Sequence, residues 1–448
     1  MTLMSCGDKT NSNTISQLKV SPTILNFSGK VGQAIATKTV KLSNTGTASI
    51  SFSISSKPSW LTVDPSNGSI NPGANQIITI GATNCTSAGS EAKAVGFKDG
   101  ALTTILKVSR TCTDKNTIVN IPDANLAKAI RKELGLQTNQ AITKTDMEKL
   151  KSLNAGKSFT QTPDSEKIKN LEGLQYAVNL GVLSIYNNLV SDLSVLSDVT
   201  NLFFIDISRN QISNITALSN LTNLTWLDLR NNDVIDISSL SGMKNMTKLY
   251  LGFNEISNIT ALSSLNNLTV LNLESNQISN IAALSSLSNL TVLNLESNQI
   301  SNIAALSNLT NLKHLIIDRN QISDISALSS MTGLTGLGLG NNQISDISAL
   351  SSLTNLDHLD LFYNQKINDI TSLSGLTKLK YLDLKENKIS DITALVNNPG
   401  LTGKDDEIAL SHNCLDLDSG EDLSNINILK SRGIVVGYRP QKAKTSCS

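Results

Sequence analysis

The sequence predicts a mixed, multidomain chain. An all-β sandwich comes first, followed by a solenoid of short parallel strands and tight helical returns, with helices capping its ends. Three observations carry this. An asparagine recurs every 22 residues from Asn188 to Asn364. Within each interval the spacing of apolar residues switches from three to two. Ahead of the repeats, short β-prone runs are separated by turn residues.

The recurring positions are Asn188, Asn210, Asn232, Asn254, Asn276, Asn298, Asn320, Asn342 and Asn364. Asn387 follows after 23 residues, because Lys366 adds one, and Asn413 follows after 26. Two neighbouring units share nineteen identical residues, NLTVLNLESNQISNIAALS, at 267–285 and 289–307. Ile278, Ile281, Leu284, Leu287, Leu290 and Leu293 step by three, the period of a 3₁₀ helix or similar coil. Leu293 and Leu295 step by two, as in a strand with one buried face. The asparagine amide can donate to and accept from backbone groups that the turn leaves unpaired, a structural role. Asn280, Asn302, Asp324, Asp346, Asp369 and Asp391 come next in each unit, placed to cap the helical return. The pattern LxxLxLxxNxI resembles the leucine-rich repeat across about residues 166–413.

One coil cannot bury its own leucines, so both ends of such a stack need caps. IPDANLAKAIRKELG at 121–135 places Leu126, Ile130 and Leu134 on one helical face and ends in Gly135. TKTDMEKLKSL at 143–153 reads as a second helix, and 113–165 as the N-terminal cap. DSGEDLSNINILKSRG at 418–433 reads as a helix stopped by Gly433, and IVVGY at 434–438 as a last strand. The C-terminal cap spans 414–441, and 442–448 is expected to be a disordered tail. IPDANLAKAI, the repeats and NQISDISALSSLTNL together resemble the internalin-like bacterial surface proteins. That resemblance implies binding of a partner protein on the concave face, often in adhesion. The module order departs from the family, because here the β-rich module precedes the cap. No C-terminal wall-anchoring motif is present either.

Residues 17–112 read as the all-β module. VKLSN, SFSIS, QIITIGA, AKAVGF and TTILKVS are its strand candidates, and Phe97-Lys98-Asp99-Gly100 looks like a hairpin turn. Trp60-Leu61-Thr62-Val63 followed by Asn71-Pro72-Gly73 resembles the BACON-type and related immunoglobulin-like modules. The resemblance implies an immunoglobulin-like sandwich that either binds glycans or serves as a spacer. Trp60 is assigned to the core rather than to a sugar platform.

At the N-terminus, Leu3-Met4-Ser5 before Cys6 resembles the lipobox of bacterial lipoproteins. Only five residues precede Cys6, so the charged and apolar segments of a signal peptide are missing. Either the start is truncated or the match is chance. The first reading is preferred, which makes Cys6 a lipidation candidate and 1–16 a leader remnant and tether. Cys85 and Cys112 share the β-rich region; they form a disulfide if the chain is exported, or are two unpaired thiols. Lys plus Arg equals Asp plus Glu at 37 each, which gives no argument for a nucleic-acid partner.

Writing the unit as L1-x2-x3-L4-x5-L6-x7-x8-N9 places x3, x5 and x7 on the concave face. Between Leu180 and Asn413, Tyr186, Phe204, Trp226, Tyr250, Phe362 and Tyr381 occupy x3, x5 or x7. Phe203, Phe253 and Tyr363 occupy x2 or x8, and no aromatic falls at a core position. Aromatics gathered on one surface mark a binding face. His314 and His358 sit at x3 and His412 at x8. Between the first two, Gly336, Gly338 and Gly340 strip one strand of side chains. A notch is expected there, flanked by His314, Ile316, Asp318, His358, Asp360 and Phe362, that accepts a partner side chain. Two histidines two repeats apart do not match a zinc spacing, so no metal is assigned. Like charges adjoin at Asp206 and Asp228, Glu274 and Glu296, and Asp360 and Asp383; Arg209, Arg230 and Lys385 are candidates to neutralise them.

No nucleophile–base pair or phosphate loop stands out, so neither enzyme activity nor a cofactor is expected. The reading is a monomeric, cell-surface or extracellular protein binder of the adhesin type, touching the membrane only through a lipid anchor at Cys6. Two alternatives stay open: a glycan binder acting through the N-terminal module, and an intracellular regulatory scaffold.

Overall fold

The computed structural model describes residues 17–86, 88–100, 102–113, 117–158, 162–404, 406–418, 420–442 and 447. The tether and Cys6 lie outside the described residues. The chain divides into two compact units, one ending at Ile118 together with Thr143–Thr145, the other comprising Val119–Ile142 and Asp146 onwards.

The first unit is a two-sheet β-sandwich. Its strands are β1 (Leu18–Ser21), β2 (Ile24–Lys30), β3 (Lys38–Asn44), β4 (Ile50–Ser56), β5 (Leu61–Asp64), β6 (Asn67–Ile70), β7 (Asn75–Ala82), β8 (Gly89–Asp99) and β9 (Leu102–Thr113). One sheet has the order β1-β3-β7-β5 and the other β2-β9-β8-β4-β6. Period-2 patterning decides which side chains face inward. In β3, Val40 and Leu42 are buried while Thr39 and Lys41 are exposed. The inward rows of both sheets meet in one core that includes Leu42, Ile78, Ile80, Phe27, Phe97 and Leu106. The five strand candidates are β3, β4, β7, β8 and β9; β1, β2, β5 and β6 are additional. Asp99 pairs with Leu102 across a turn in which Gly100 takes a left-handed φ of 60°. Cys85 and Cys112 are joined by a disulfide.

The second unit is a solenoid. Among the described residues its sheet has thirteen parallel strands of three residues each, from Ser152–Asn154 to Val435–Gly437. The returns are short 3₁₀ helices, such as Ala282–Leu284 and Ala304–Leu306. The switch from a step of three to a step of two becomes physical here. Ile300, Ile303, Leu306, Leu309, Leu312 and Leu315 all enter one continuous core, at 0–2% exposure. Each such leucine contributes about 2 kcal/mol by leaving water. Neighbouring coils supply the burial, so the core has no gap between repeats.

The asparagine ladder ties each coil to the one before it. Asn276 Nδ2 donates to Leu251 O and Leu273 O, both at 3.0 Å, and Asn276 Oδ1 accepts from Ile256 N at 3.0 Å. The preceding x8 residue adopts a left-handed φ, as at Ser275 (52°), to complete the turn. Asn280 Oδ1 then accepts from Ala282 N at 2.9 Å and caps the return.

At the N-terminal end, the helix Ala124–Leu134 buries Leu126 and Ile130 in the solenoid core and ends at Gly135, φ 66°. Asp123 caps it by accepting from Asn125 N and Leu126 N, and its other oxygen accepts from Lys169 N and Asn170 N. One carboxylate thereby holds the cap helix to the first coil. At the other end, the helix Glu421–Ser431 buries Ile426 and Leu429, and Gly433 follows at φ 94°.

Two expectations are corrected. The second helix covers only Lys144–Met147, and Ser152–Asn154 is instead the first strand of the sheet, paired with Val182–Ser184. Leu150 and Leu153 serve as L1 and L4 of a first coil, a spacing of three that a helix face shares. Nor is the tail beyond 441 wholly loose. Lys442 N donates to Asn413 O at 2.8 Å, and Cys447 is disulfide-bonded to Cys414. Residues 443–446 and 448 lie outside the described residues.

Candidate binding face

The parallel register places equivalent residues of successive repeats side by side. Phe204 pairs with Trp226 and Asp206 with Asp228; on the next strand Asp228 pairs with Tyr250. Further along, His314, Gly336, His358 and Tyr381 form one row, and Ile316, Gly338, Asp360 and Asp383 form another.

The first aromatic group is built on three adjacent strands. Phe204 and Trp226 stack at 4.1 Å between centroids with 9° between planes, and Tyr250 follows at 5.5 Å, tilted by 50°. Phe204 and Trp226 face one another along the sheet, so they present edges rather than faces to the concave side. That arrangement suits insertion against apolar protein side chains better than flat stacking of a sugar ring. Arg230 closes the group. Its guanidinium lies 4.9 Å from the Tyr250 ring centroid and pairs with Asp228 at 2.5 Å. Asp228 is 1% exposed, so this pairing offsets a buried charge. Asp206, beside it, accepts from the Ser208 hydroxyl at 2.7 Å; burial pushes its carboxyl above the ordinary value, and the Asp228 charge adds to this. Tyr186 lies close over Gly156: a Cβ there would sit 2.2 Å from its ring. Phe203 and Phe253 are exposed at the rim.

The second group lies on the far side of the glycine strand. His358 stacks on Tyr381 at 4.3 Å with 7° between planes. Phe362 and Tyr363 are 5.7 Å apart, and Lys385 Nζ lies 5.6 Å from the Phe362 ring centroid. Lys385 pairs with Asp383 at 2.8 Å, and His412 with Glu386 at 3.5 Å. Of the candidate internal counter-ions, Arg230 and Lys385 thus neutralise Asp228 and Asp383.

Between the groups, the expected notch is not empty, which corrects the sequence reading. Asp318 from the preceding repeat lies across the glycine strand. A Cβ on Gly338 would sit 2.2 Å from Asp318 Oδ2, and one on Gly336 would sit 2.7 Å from His314 Nδ1. Gly340 N donates to Asp318 Oδ1 at 2.6 Å. The missing side chains leave room for Asp318 to reach the backbone and accept the Gly340 N–H. Asp318 is therefore a central residue of this face that the sequence identified only as a flank. Three inward glycines mark where a neighbour can lean in, but nothing in the sequence says that Asp318 is the one that does.

The duplicated units form a plain stretch between Tyr250 and the glycine strand. Val270 pairs with Val292 and Asn272 with Asn294, and Asn294 Nδ2 donates to Glu274 Oε2 at 3.3 Å. The Glu296 carboxyl is raised by burial and by the Glu274 charge.

In the first unit, Trp60 is 5% exposed. Phe27 meets it edge-on at 6.4 Å, and the Arg110 guanidinium covers its ring at 4.7 Å. Phe27, Phe52, Trp60 and Phe97 are all buried, so no aromatic of residues 17–118 is exposed among the described residues.

Comparisons with known proteins agree with these two architectures. Residues 17–110 match the viral BACON domain family. Residues 222–264, 266–308, 310–352 and 354–397 match the leucine-rich repeat family of paired copies. A crystal structure of an internalin, InlF, from Listeria monocytogenes is 29% identical, with 73% of this chain and 98% of that chain covered and a TM-score of 0.59. Internalin C2 from the same organism is 33% identical over 54% of this chain and 95% of that one, with a TM-score of 0.41. A Leptospira interrogans leucine-rich repeat protein is 20% identical over 73% of this chain and 82% of that one, with a TM-score of 0.48. No curated protein matches the chain. A BACON domain, four matched repeat pairs and the internalin likeness define the chain as an internalin-like leucine-rich repeat protein with a BACON domain ahead of its repeats.

Proposed function

We propose that the chain is a cell-surface or secreted adhesin-type protein that binds a partner protein on the concave face of its repeats. The observation that carries this is the placement of the aromatics. All nine between Leu180 and Asn413 lie on or beside the inward strand positions, and among the described residues the one aromatic on a helical return of the repeats is Tyr176, in the first coil. Leucine-rich repeat proteins of this kind mediate protein–protein interaction, and this face has the aromatic and arginine composition of binding hot spots. Cys85–Cys112 and Cys414–Cys447 support an oxidising location outside the cytosol, against the intracellular scaffold. Burial of all four aromatics of the first unit favours a spacer over a glycan binder. In this reading Cys6 carries the lipid anchor and the protein acts as a monomer. The proposed contact residues are Tyr186, Phe204, Trp226, Tyr250, Phe253, His314, His358, Asp360, Phe362, Tyr363 and Tyr381, with Asp318 covering the glycine strand between them.

Site-specific photocrosslinking on the full chain tests this. A crosslinker replacing Val292, on the inner face, should capture a discrete protein from intact cells or their surroundings. The same group replacing Ser288, on the exposed helical side, should not. Capture from Ser288 alone would contradict the proposal.

A further inference from the structure

We propose that Asp318 and Asp360, closed over the bare strand at Gly338 and Gly340, form a proton-binding pair that sets the charge of the concave face and couples partner binding to pH. The inference rests on the concave face being the binding surface and adds a means of regulation to it.

The geometry makes the pair. The inward positions of this strand are Gly336, Gly338 and Gly340, so two flanking acids can converge on one stretch of backbone. A Cβ on Gly340 would sit 2.9 Å from Asp318 Oδ1 and 3.1 Å from Asp360 Oδ1. Asp318 accepts from Gly340 N at 2.6 Å, and Asp360 accepts from Phe362 N at 2.7 Å. Among the described residues, neither carboxylate forms an ion pair. The nearby cations form their direct ion pairs elsewhere, although His358 and Lys385 still act on Asp360 through space. Arg319 pairs with Glu296 at 3.6 Å, and Lys385 pairs with Asp383 at 2.8 Å. His314 leans over Gly336, and His358 stacks on Tyr381. The glycine strand adds no charge of its own, and Glu296 and Asp383, though each is ion-paired, still push the two carboxyls upward from either side.

Such surroundings favour a neutral carboxyl. Burial, reinforced by the Asp360 charge, pushes Asp318 up to about 7. Burial also raises Asp360 and the Asp383 charge adds to it, against the lowering by the Phe362 N–H and by the His358 and Lys385 charges, so the net shift is upward. The proton belongs to the pair, and losing it adds one negative charge to the face. Of the inward acids between Lys248 and Lys385, Glu296 and Asp383 are ion-paired, which leaves Glu274, Asp318 and Asp360 without an ion pair among the described residues. A partner surface complementary to that strip is cationic, so deprotonation strengthens its binding.

The charge step is read on the free full-length chain by potentiometric titration between pH 8 and pH 5.5. Wild type should take up about 0.9 proton more than Asp318→Asn. Gly338→Ala places a methyl against Asp318, displaces it towards solvent and should abolish most of that excess. Circular dichroism verifies that both variants remain folded. An excess below about 0.1 proton in wild type overturns the proposal, as does an unchanged excess in Gly338→Ala. Because no partner is needed, a failed titration leaves the binding face standing, and loss of the binding-face reading leaves the titration intact.

Discussion

Trp226 lies flat against Phe204, 4.1 Å between ring centroids, on adjacent strands of the solenoid's inner face. The pair forms the rigid centre of the first aromatic group, held from the other side by Tyr250 and Arg230. Trp226→Ala should cost about 1 kcal/mol of fold stability through the lost stacking. The chain has two tryptophans, and the other, Trp60, is buried. In a Trp60→Phe background, partner binding should shift Trp226 emission to the blue. An unmoved spectrum on a saturated complex would place the contact elsewhere.

Arg230 compensates a carboxylate that has left water. Arg230→Met should destabilise the chain by about 2 kcal/mol, because it leaves Asp228 buried without its cation. Adding Asp228→Asn should restore most of that loss. Urea unfolding of the wild type, both single variants and the double variant gives the coupling directly. Independent, additive losses would show that the pair is not coupled.

The asparagine ladder should matter wherever it is broken. Asn276→Ala removes two donors and leaves Ile256 N without its acceptor, at an expected cost of about 2–3 kcal/mol. Hydrogen exchange should show the loss spreading into the coils on either side, because each repeat is stabilised by its neighbours. Exchange unchanged beyond residues 250–280 would contradict that coupling.

Much of this was legible because position within a 22-residue unit fixes side-chain direction. Tyr186, Trp226 and Phe362 could be assigned to one surface by counting from an asparagine. The helix expected at 143–153 failed because Leu150 and Leu153 are spaced alike on a helix and in a first coil. β1, β2, β5 and β6 were not singled out, since β1, β5 and β6 are four residues long and offer little alternation. Asp318 was only a flank for another reason. Where its carboxylate lies depends on a rotamer chosen to fill the space left by Gly338, and no local pattern encodes that.

Stability should carry the mark of Asp318. Its folded-state value, about 7, lies above the ordinary 3.8, so between these limits the native state holds a proton that the unfolded chain has released. The stabilisation relative to an ordinary carboxyl is full below about pH 4 and is lost as pH rises through about 7, on the order of 2–4 kcal/mol in total. The difference in melting temperature between wild type and Asp318→Asn should therefore fall across that window. A flat difference would show that Asp318 is ionised throughout.

Four of the five cysteines are paired, leaving Cys6. Alkylation of the denatured, unreduced protein followed by mass measurement should label one site where Cys6 is unmodified and none where it is lipidated. Cys447→Ser should lower stability by up to about 3 kcal/mol, with exchange increasing at the C-terminal cap first. Labelling at all five positions in material taken from its native setting would remove the support for an oxidising location.

The central claim is that the aromatic inner face does the binding, and affinity measurement of surface variants against the captured partner tests it most directly. Trp226→Ala and Tyr381→Ala should each weaken binding by about 10–30-fold, the scale of a hot-spot residue. Ser288→Glu on the helical side should bind as wild type does. Wild-type affinity in both aromatic variants, with loss in Ser288→Glu, would contradict the account.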